Sequence, residues 1–418
     1  MSDPGETAVH DLNLVVEVAR RLGETFDLDS LLKSIEQAGR TALNCERATV
    51  YLYDADRDEL HSRIATGTGE IRFPATRGIA GDSVKTRSVI LVSDAYADSR
   101  FNPDVDRQTG FRTRNLLTLP LVVPDGEVVG ALQVLNKIGG QFTDNDQLLA
   151  AALGSLTGVA IKRQMLLDEA EAKRRLERDL NIARDIQQRL LPKCVPSAPG
   201  YDIAGCNLPA DQTGGDIYDF FPLADGRVGL MIADATGHGI GPALIVSQCR
   251  SVLRAMADER ATPAELVCRL NDLLCDDLPS NRFVTLCFGI LDPARHRLDY
   301  VSGGHGPQLH FEAATGRVRP FDATGLPLGI MKDMEMDAAE PIVLAPGDLF
   351  VMITDGFLEW ACPDGTQYGC ERLVDLLRRH RELPCAELIQ AIYRDVLAFC
   401  QGTPQMDDLT VALVKRNT

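Results

Sequence analysis

At 418 residues the chain is too long for one ordinary core, so about two to three domains are expected. With 45% hydrophobic and 25% charged residues the composition is that of a globular protein, and no apolar run reaches the roughly 20 residues a membrane span needs, which excludes a membrane-crossing segment. A formal net charge of −17 opposes the phosphate attraction on which nucleic-acid binding leans, so neither nucleic acid nor membrane is an expected partner.

The opening Met1-Ser2-Asp3-Pro4-Gly5-Glu6 is polar and acidic and lacks the charged-then-apolar pattern of a secretory signal, so a cytoplasmic location is expected. Eleven cysteines, an odd number with no C-x-x-C pair, fit a reducing compartment and read as small apolar core residues rather than a zinc site. From Leu28 to Leu43 the residues Leu31, Leu32, Ile35, Ala38 and Ala42 recur at helical spacing, and the strand-like Ala48 to Tyr53 follows. Asp54-Ala55-Asp56-Arg57-Asp58 imitates the start of a calcium loop, but Glu59 stands where glycine is needed and Ala65 where a glutamate should close it, so a solvated turn is expected. Val89 to Ser93, Leu116 to Val123 and Val128 to Leu135 are further strands, the last two joined as a hairpin by Pro124-Asp125-Gly126.

A helix from about Asp144 to Ile161 closes this first unit, with Leu148, Leu149, Ala152, Leu156 and Val159 as its apolar side. The next stretch, Lys162 to Leu191, has neither Gly nor Pro. Its stripe of Leu176, Leu180, Ala183, Ile186 and Leu190 predicts a long helix, either a solvated spacer or the seam of a parallel homodimer. After Tyr201 a second α/β region is expected, with strands at Val228 to Asp234, Phe283 to Leu291 and Leu349 to Thr354, and helices at Ala243 to Ala257 and Ala264 to Asp276. The domain boundaries expected are therefore 1–161, 162–195 and 196–418.

Four acidic motifs in the second region share one design, an Asp at a strand end or in a glycine-rich turn. They are Asp216 in Gly214-Gly215-Asp216, Asp234 in Ile232-Ala233-Asp234-Ala235-Thr236-Gly237, Asp355 in Thr354-Asp355-Gly356, and Asp407 in Met406-Asp407-Asp408. A carboxylate delivered by an apolar strand is buried, which is costly unless it is paired or binds a cation. Hard oxygen donors without a Cys/His cluster select Mg²⁺ or Mn²⁺ over zinc.

With these motifs and Gly325-Leu326-Pro327-Leu328-Gly329, the region from about Asn207 to Val414 resembles the PPM family of metal-dependent protein serine/threonine phosphatases, in its SpoIIE/RsbU branch. The resemblance implies an α-β-β-α sandwich and a phosphorylated protein substrate such as an anti-anti-sigma-type (STAS) regulator. It also implies two divalent ions, one held by Asp216 and Asp234 with the Ala235 carbonyl, the other by Asp234, Asp355 and Asp407. Such ions acidify a water that attacks phosphorus in line, with no phosphoenzyme. Asp219 and Asp408 read either as outer carboxylates orienting metal waters or as ordinary hydrogen-bonding groups. His238 lies four residues after Asp234, where the eukaryotic relatives place their histidine two after, so the general-acid role is not transferred; His305 reads as structural. No arginine matches the phosphate-gripping one of the eukaryotic enzymes.

Residues Leu28 to Ile161 resemble a GAF domain, and Gly78-Ile79-Ala80-Gly81 with Asp106-Arg107-Gln108-Thr109-Gly110-Phe111-Arg112-Thr113 is similar to its cyclic-nucleotide-binding members. Asn136, Lys137, Phe142 and Asp146 begin a five-residue signature of those members whose last position here is Gln147. The resemblance implies a ligand site at Ala80, Asp106, Thr109 and Thr113, where one carboxylate and two hydroxyls would suit cyclic AMP or cyclic GMP. A GAF fold used only for dimerisation or for another ligand is the alternative. Ala183 to Pro192 is similar to the linker preceding many SpoIIE-type phosphatases. The expected whole is an α/β (α+β) protein made of a GAF sensor, a long linker helix and a PPM phosphatase; a catalytically inactive scaffold that binds a regulatory partner is the competing function.

Overall fold

The computed structural model describes residues 13, 15–20, 22, 27–65, 71–258 and 262–417. It divides into two compact units, Met1–Arg175 and Leu176–Thr418.

In the first unit, helix α1 (Leu28–Ala42) starts where the Asp27 side chain accepts from the Ser30 amide, and it buries Leu31, Leu32 and Ile35, the predicted face. Strands β1 (Cys45–Asp54), β2 (Glu59–Ala65), β3 (Ile71–Pro74), β4 (Ile90–Val92), β5 (Leu116–Val122) and β6 (Val128–Lys137) form an antiparallel sheet in the order β3-β2-β1-β6-β5-β4. The predicted hairpin is β5–β6, turning at Gly126 with φ +89°. The calcium-loop mimic is a turn closed on itself, the Asp54 carboxylate accepting from the amides of Asp56 and Arg57. Two short helices, α2 (Gly78–Thr86) and α3 (Asp104–Thr109), sit in the connections.

The two helical stretches expected at 144–161 and 162–191 are one element, α4 (Asp144–Leu190). Its buried face differs from the expected one by a rotation. Leu149, Ala150, Leu153 and Ile161 are in the core, while Leu148 and Val159 are 73% and 44% exposed. The contact with β5 is made through glycines: a Cβ on Gly154 would stand 2.7 Å from the Pro120 carbonyl oxygen, and one on Gly158 would stand 2.8 Å from the Val122 backbone. Counting only large apolar residues hides a face built for close backbone approach.

The second unit stacks two antiparallel sheets. Strands β7 (Tyr201–Leu208), β8 (Asp216–Pro222), β9 (Val228–Ala235), β10 (Val284–Asp292), β11 (Arg297–Gly303), β12 (Gln308–Glu312), β13 (Arg317–Phe321), β14 (Ile342–Val343), β15 (Leu349–Ile353) and β16 (Leu409–Arg416) are ordered β14-β11-β10-β9-β8 and β13-β12-β15-β16-β7. Helices α5 (Ile240–Met256) and α6 (Pro263–Asp277) cover the first sheet through Val246, Leu253, Leu266 and Leu270. A short turn of helix, α7 (Asp355–Glu359), follows β15; α8 (Gly369–His380) and α9 (Cys385–Cys400) cover the second sheet through Leu373, Leu377, Leu388 and Ile392. Phe220, Ile232, Cys287, Phe350 and Met352 fill the space between the sheets. This is the expected α-β-β-α sandwich, with α8 and α9 added to the helices predicted from the sequence. The free cysteines Cys45, Cys249, Cys287, Cys385 and Cys400 are buried, as their apolar reading requires. Among the described residues no helix is long and apolar enough to cross a membrane.

Candidate active site and ligand cavity

Strand alternation decides which carboxylates meet. On β8, Tyr218 and Phe220 face the other sheet while Ile217 and Phe221 face the helices, so Asp216 points between the sheets. On β9 it pairs directly with Asp234, which shares that side with Ile232 and Leu230. In the opposing sheet β15 and β16 are paired through Ile353 and Val411, with Asp355 just beyond one strand and Asp407 just before the other. The four predicted acidic motifs therefore converge at one end of the sandwich.

Their electrostatics is that of an unneutralised cluster. The Asp216 carboxyl is fully buried, its Oδ2 has no hydrogen-bond partner, and burial together with the charges of Asp234 and Asp408 drives its pKa well up. Asp234 is pushed up to about 7, first by burial and then by Asp355, Asp407 and Asp408. Asp355 is raised by burial and by Asp407 and Glu359. Among the described residues no three His, Cys, Asp or Glu side chains stand as a ready-made coordinating group. The donor set nevertheless fits a hard divalent cation: it is all oxygen, partly desolvated, and contains one buried carboxylate oxygen with no partner of its own. The backbone keeps space there as well. Gly215 pairs with Ala235, and a Cβ on it would stand 2.8 Å from the Ala235 carbonyl oxygen.

The first unit contains a cavity of about 260 Å³. Its floor is Thr49 and Tyr51 of β1 with Gln133 and Leu135 of β6, and its walls include Ala80, Asp106 and Thr113, three of the four predicted ligand residues. Thr109 ends α3, and its side chain lies outside the described residues. The Asp106 carboxylate is already engaged. It accepts from the Thr113 amide at 2.7 Å, from the Thr113 hydroxyl at 2.8 Å and from the Tyr96 hydroxyl at 3.1 Å. Asp106 and Thr113 therefore bond to each other while both line the cavity. The lining also carries four arginines: Arg72 is ion-paired to Glu59 at 3.2 Å and Arg100 to Asp98 at 2.6 Å and Asp82 at 3.1 Å, Arg77 stands beside them, and the Arg47 guanidinium lies 3.9 Å from the centre of the Phe111 ring.

The signature residues serve elsewhere. The Lys137 ammonium bonds Asp146 at 2.7 Å and the Leu43 carbonyl at 3.0 Å, and Asp146 in turn caps α4 by accepting from the Thr143 amide. Asn136, with φ +60°, ties Arg112, Arg114 and Glu46 together. The Lys137–Asp146 pair ties the sheet to α4, and Asn136 pins the backbone on either side of the cavity residue Thr113.

Residues 224–417 match the family model "Stage II sporulation protein E (SpoIIE)", and residues 27–161 match the GAF domain model. The SiaA-PP2C domain of Pseudomonas aeruginosa superposes with a TM-score of 0.51 at 25% identity, over 60% of this chain and 100% of that one. The chain carries a GAF domain followed by a SpoIIE-type PP2C phosphatase domain. Among its relatives, "Phosphoserine phosphatase RsbU" of Bacillus subtilis is 27% identical over 58% of this chain and 71% of its own length. "Probable 3',5'-cyclic phosphodiesterase pde-5" of Caenorhabditis elegans is 29% identical over 42% of this chain, which spans only 25% of that protein. The enzyme class expected from the sequence, a protein serine/threonine phosphatase, and the mixed α/β fold are borne out.

Around the phosphatase cluster, the open readings of the neighbouring residues resolve. Asp219 is three residues after Asp216, hence on the opposite face of β8, under α5. There it is fully buried and ion-paired to Arg250 at 2.9 Å and Arg254 at 2.6 Å, which offset the burial that raises its pKa. It locks α5 to the sheet and faces away from the cluster. Asp408 accepts from the amides of Ala210 at 2.8 Å and Asp216 at 3.2 Å, so it shapes the loop that delivers Asp216. His238 is 90% exposed and pairs with Asp211 at 3.2 Å. His305 is buried against the Thr285 hydroxyl at 3.0 Å, and burial depresses its pKa to about 4, so it is a neutral structural histidine.

Arg282 was missed at the sequence level. Its guanidinium donates to the Thr236 carbonyl and lies against Gly237, on the loop that follows Asp234. Nothing in the spacing announces it, because the contact joins residues 46 apart through a backbone carbonyl.

Proposed function

We propose that the phosphatase domain hydrolyses phosphoserine or phosphothreonine in a regulatory protein, under control of a small ligand held by the GAF domain. The observation that carries the catalytic half is the direct pairing of Asp216 with Asp234 beside Asp355 and Asp407. Asp216 and Asp234, with the Ala235 carbonyl, would hold one divalent ion; Asp234, Asp355 and Asp407 would hold the second, Mn²⁺ or Mg²⁺ in either case. Such ions supply charge neutralisation for the phosphoryl group and a water acidic enough to attack phosphorus. The chain's own contribution is to hold Asp216 buried and Asp234 half-buried beside the exposed Asp355 and Asp407, to fix the Asp216 loop with Asp408, and to present Arg282 to the phosphate oxygens, where a planar cation suits a tetrahedral anion. The relative named a phosphoserine phosphatase supports a phosphorylated serine as the target, and a STAS-type phosphoprotein is the proposed substrate class on the sequence resemblance. The test is release of phosphate from a phosphorylated STAS protein by the full chain with Mn²⁺, with and without nucleotide.

The regulatory half rests on the arginine-lined cavity. An anionic ligand with a planar ring fits it, and cyclic AMP or cyclic GMP is the proposed occupant, supported by the relative named a cyclic phosphodiesterase. A homodimer seam along α4 is proposed as the transmitting element, because Leu176 and Ile186 of the predicted apolar stripe are each more than half exposed on it.

A further inference from the structure

The segment that carries the chain from the first sheet of the sandwich to the second runs from Gly303, the last residue of β11, to Gln308, the first of β12. His305 stands in its middle. Its carbonyl accepts from the Ser302 hydroxyl and from Gln308 Nε2 at 2.9 Å, both buried side chains, and the Gly304 amide before it donates to the Gly325 carbonyl at 2.8 Å. The backbone is thus fixed, and His305 is only 4% exposed. On one side of the ring, Nδ1 meets the Thr285 hydroxyl at 3.0 Å. Thr285 pairs directly with Asp234 across β9 and β10. Its neighbours Val284 and Leu286 pack against the helices, so the Thr285 side chain shares the inter-sheet face with Asp234. On the other side is the second sheet, where the Ile353 backbone acts on the imidazole against the burial that keeps it neutral. Ile353 ends β15, two residues before Asp355. Nε2 is buried with no hydrogen-bond partner, so the ring keeps its place through Thr285 and through its fit between the sheets.

We propose that His305 is a positioning residue, a strut that sets the spacing between Asp234 on one sheet and Asp355 on the other, and hence the affinity of the site for the ion those two would share. The proposal rests on the reading of these carboxylates as metal ligands. Groups that orient metal ligands from behind typically cost ten- to a hundredfold in metal affinity when they are changed. A hard cation in a site of fixed geometry tolerates little movement of its oxygen donors, so a relaxed spacing between the sheets is felt at the shared ion first. The ion proposed for Asp216, Asp234 and the Ala235 carbonyl draws its ligands from β8 and β9 of a single sheet, and a strut between sheets leaves it alone.

The test uses the full chain as wild type, His305→Phe, Thr285→Val and the double variant. Cys287→Ala, on the same face of β10, is the control for lost packing. Phenylalanine keeps a ring between the sheets and removes Nδ1; valine keeps the shape of Thr285 and removes its hydroxyl. Calorimetry with Mn²⁺ should show one binding event weakened about tenfold in either single variant, or about 1.4 kcal/mol, and the other within about threefold of wild type. The double variant should be no weaker than the single ones, because both remove the same contact. Hydrogen exchange of the metal-free protein should quicken about tenfold at 353–356 in both single variants. His305→Asn, whose amide can stand where Nδ1 stands, should recover part of the affinity. Cys287→Ala should lower the melting temperature and leave the ratio of the two affinities as it was. Unchanged Mn²⁺ binding in His305→Phe overturns the strut, as do equal weakening of both events and single losses that add in the double variant. If the phenylalanine variant does not fold, Thr285→Val decides by the same readouts. A wild type that binds fewer than two Mn²⁺ ions overturns the two-ion reading instead; exchange at 353–356 then judges the strut by itself, and an unchanged rate there rejects it.

Discussion

Like charges set opposite each other on neighbouring strands destabilise a sheet, and Asp216, buried, and Asp234, half-buried, are such a pair, with Asp355 acting on Asp234. In the proposed reading a cation relieves this repulsion, so stability and function would oppose each other at one residue. Asp234→Asn should nearly abolish Mn²⁺-dependent turnover. It should also raise the melting temperature of the metal-free protein, by roughly 2–4 °C for each kcal/mol of repulsion removed from a domain of this size. The wild type should gain thermal stability from Mn²⁺ and the variant should gain little. Near-normal turnover of pure Asp234→Asn at saturating metal, followed by phosphate release, would refute the assignment. At Arg282 the effect belongs to the substrate instead. A charged hydrogen bond is worth about 1.5–3 kcal/mol, so Arg282→Ala should raise KM for a phosphopeptide about ten- to a hundredfold, with Mn²⁺ affinity unchanged and Arg282→Lys recovering part of the loss. Steady-state kinetics on the three proteins decides it, and an unaltered KM removes Arg282 from the phosphate site.

Among the elements, α4 shows where sequence patterning succeeds and where it stops. The absence of Gly and Pro from Lys162 to Leu191 made a long helix legible, and the exposed Leu176 and Ile186 agree with an apolar stripe in want of a partner. Its inner face was not legible, because Gly154 and Gly158 mark close backbone approach and carry no apolar signal. The same logic runs through β8. The motif around Asp216 was readable as an acid in a glycine turn, but Asp219 stayed open between two readings, because its arginine partners 31 and 35 residues on could only be found in the folded sandwich. Asp106 and Thr113 were readable as cavity residues by type, but the bond between them, across seven residues, was not. For the stripe on α4, replacing Leu176 and Ile186 together with glutamate should convert a dimer to a monomer by sedimentation, since four buried charges would face each other across the seam. Both positions are exposed in the single chain, so its fold and melting temperature should hold. A wild type that sediments as a monomer at high concentration rules the seam out.

On the scale of the whole molecule, the question is how a cavity in the GAF domain can govern carboxylates in another compact unit. A ligand shifts an equilibrium only by the difference in its affinity for the two arrangements, so a tenfold change in turnover needs about 1.4 kcal/mol of preference. That is within reach of one charged hydrogen bond, and the cavity lining carries Arg47 and Arg77 beside Arg72, ion-paired to Glu59, and Arg100, ion-paired to Asp98 and Asp82. The prediction is that cyclic AMP or cyclic GMP raises the melting temperature of the full chain and changes its Mn²⁺-dependent turnover, in a direction that calorimetry and kinetics on the same sample must agree upon through linkage. Arg47 reaches the cavity from β1 and stacks on Phe111, so Arg47→Ala should weaken nucleotide binding at least about tenfold while leaving turnover without nucleotide unchanged. Asp106→Ala is expected to act differently, loosening the Thr113 and Tyr96 contacts and lowering stability before it touches affinity. No heat and no thermal shift with millimolar nucleotide would discard cyclic nucleotides as the occupant. Should inorganic phosphate alone then give a shift that Arg47→Ala abolishes, the cavity would still be an anion sensor, for a ligand without a purine.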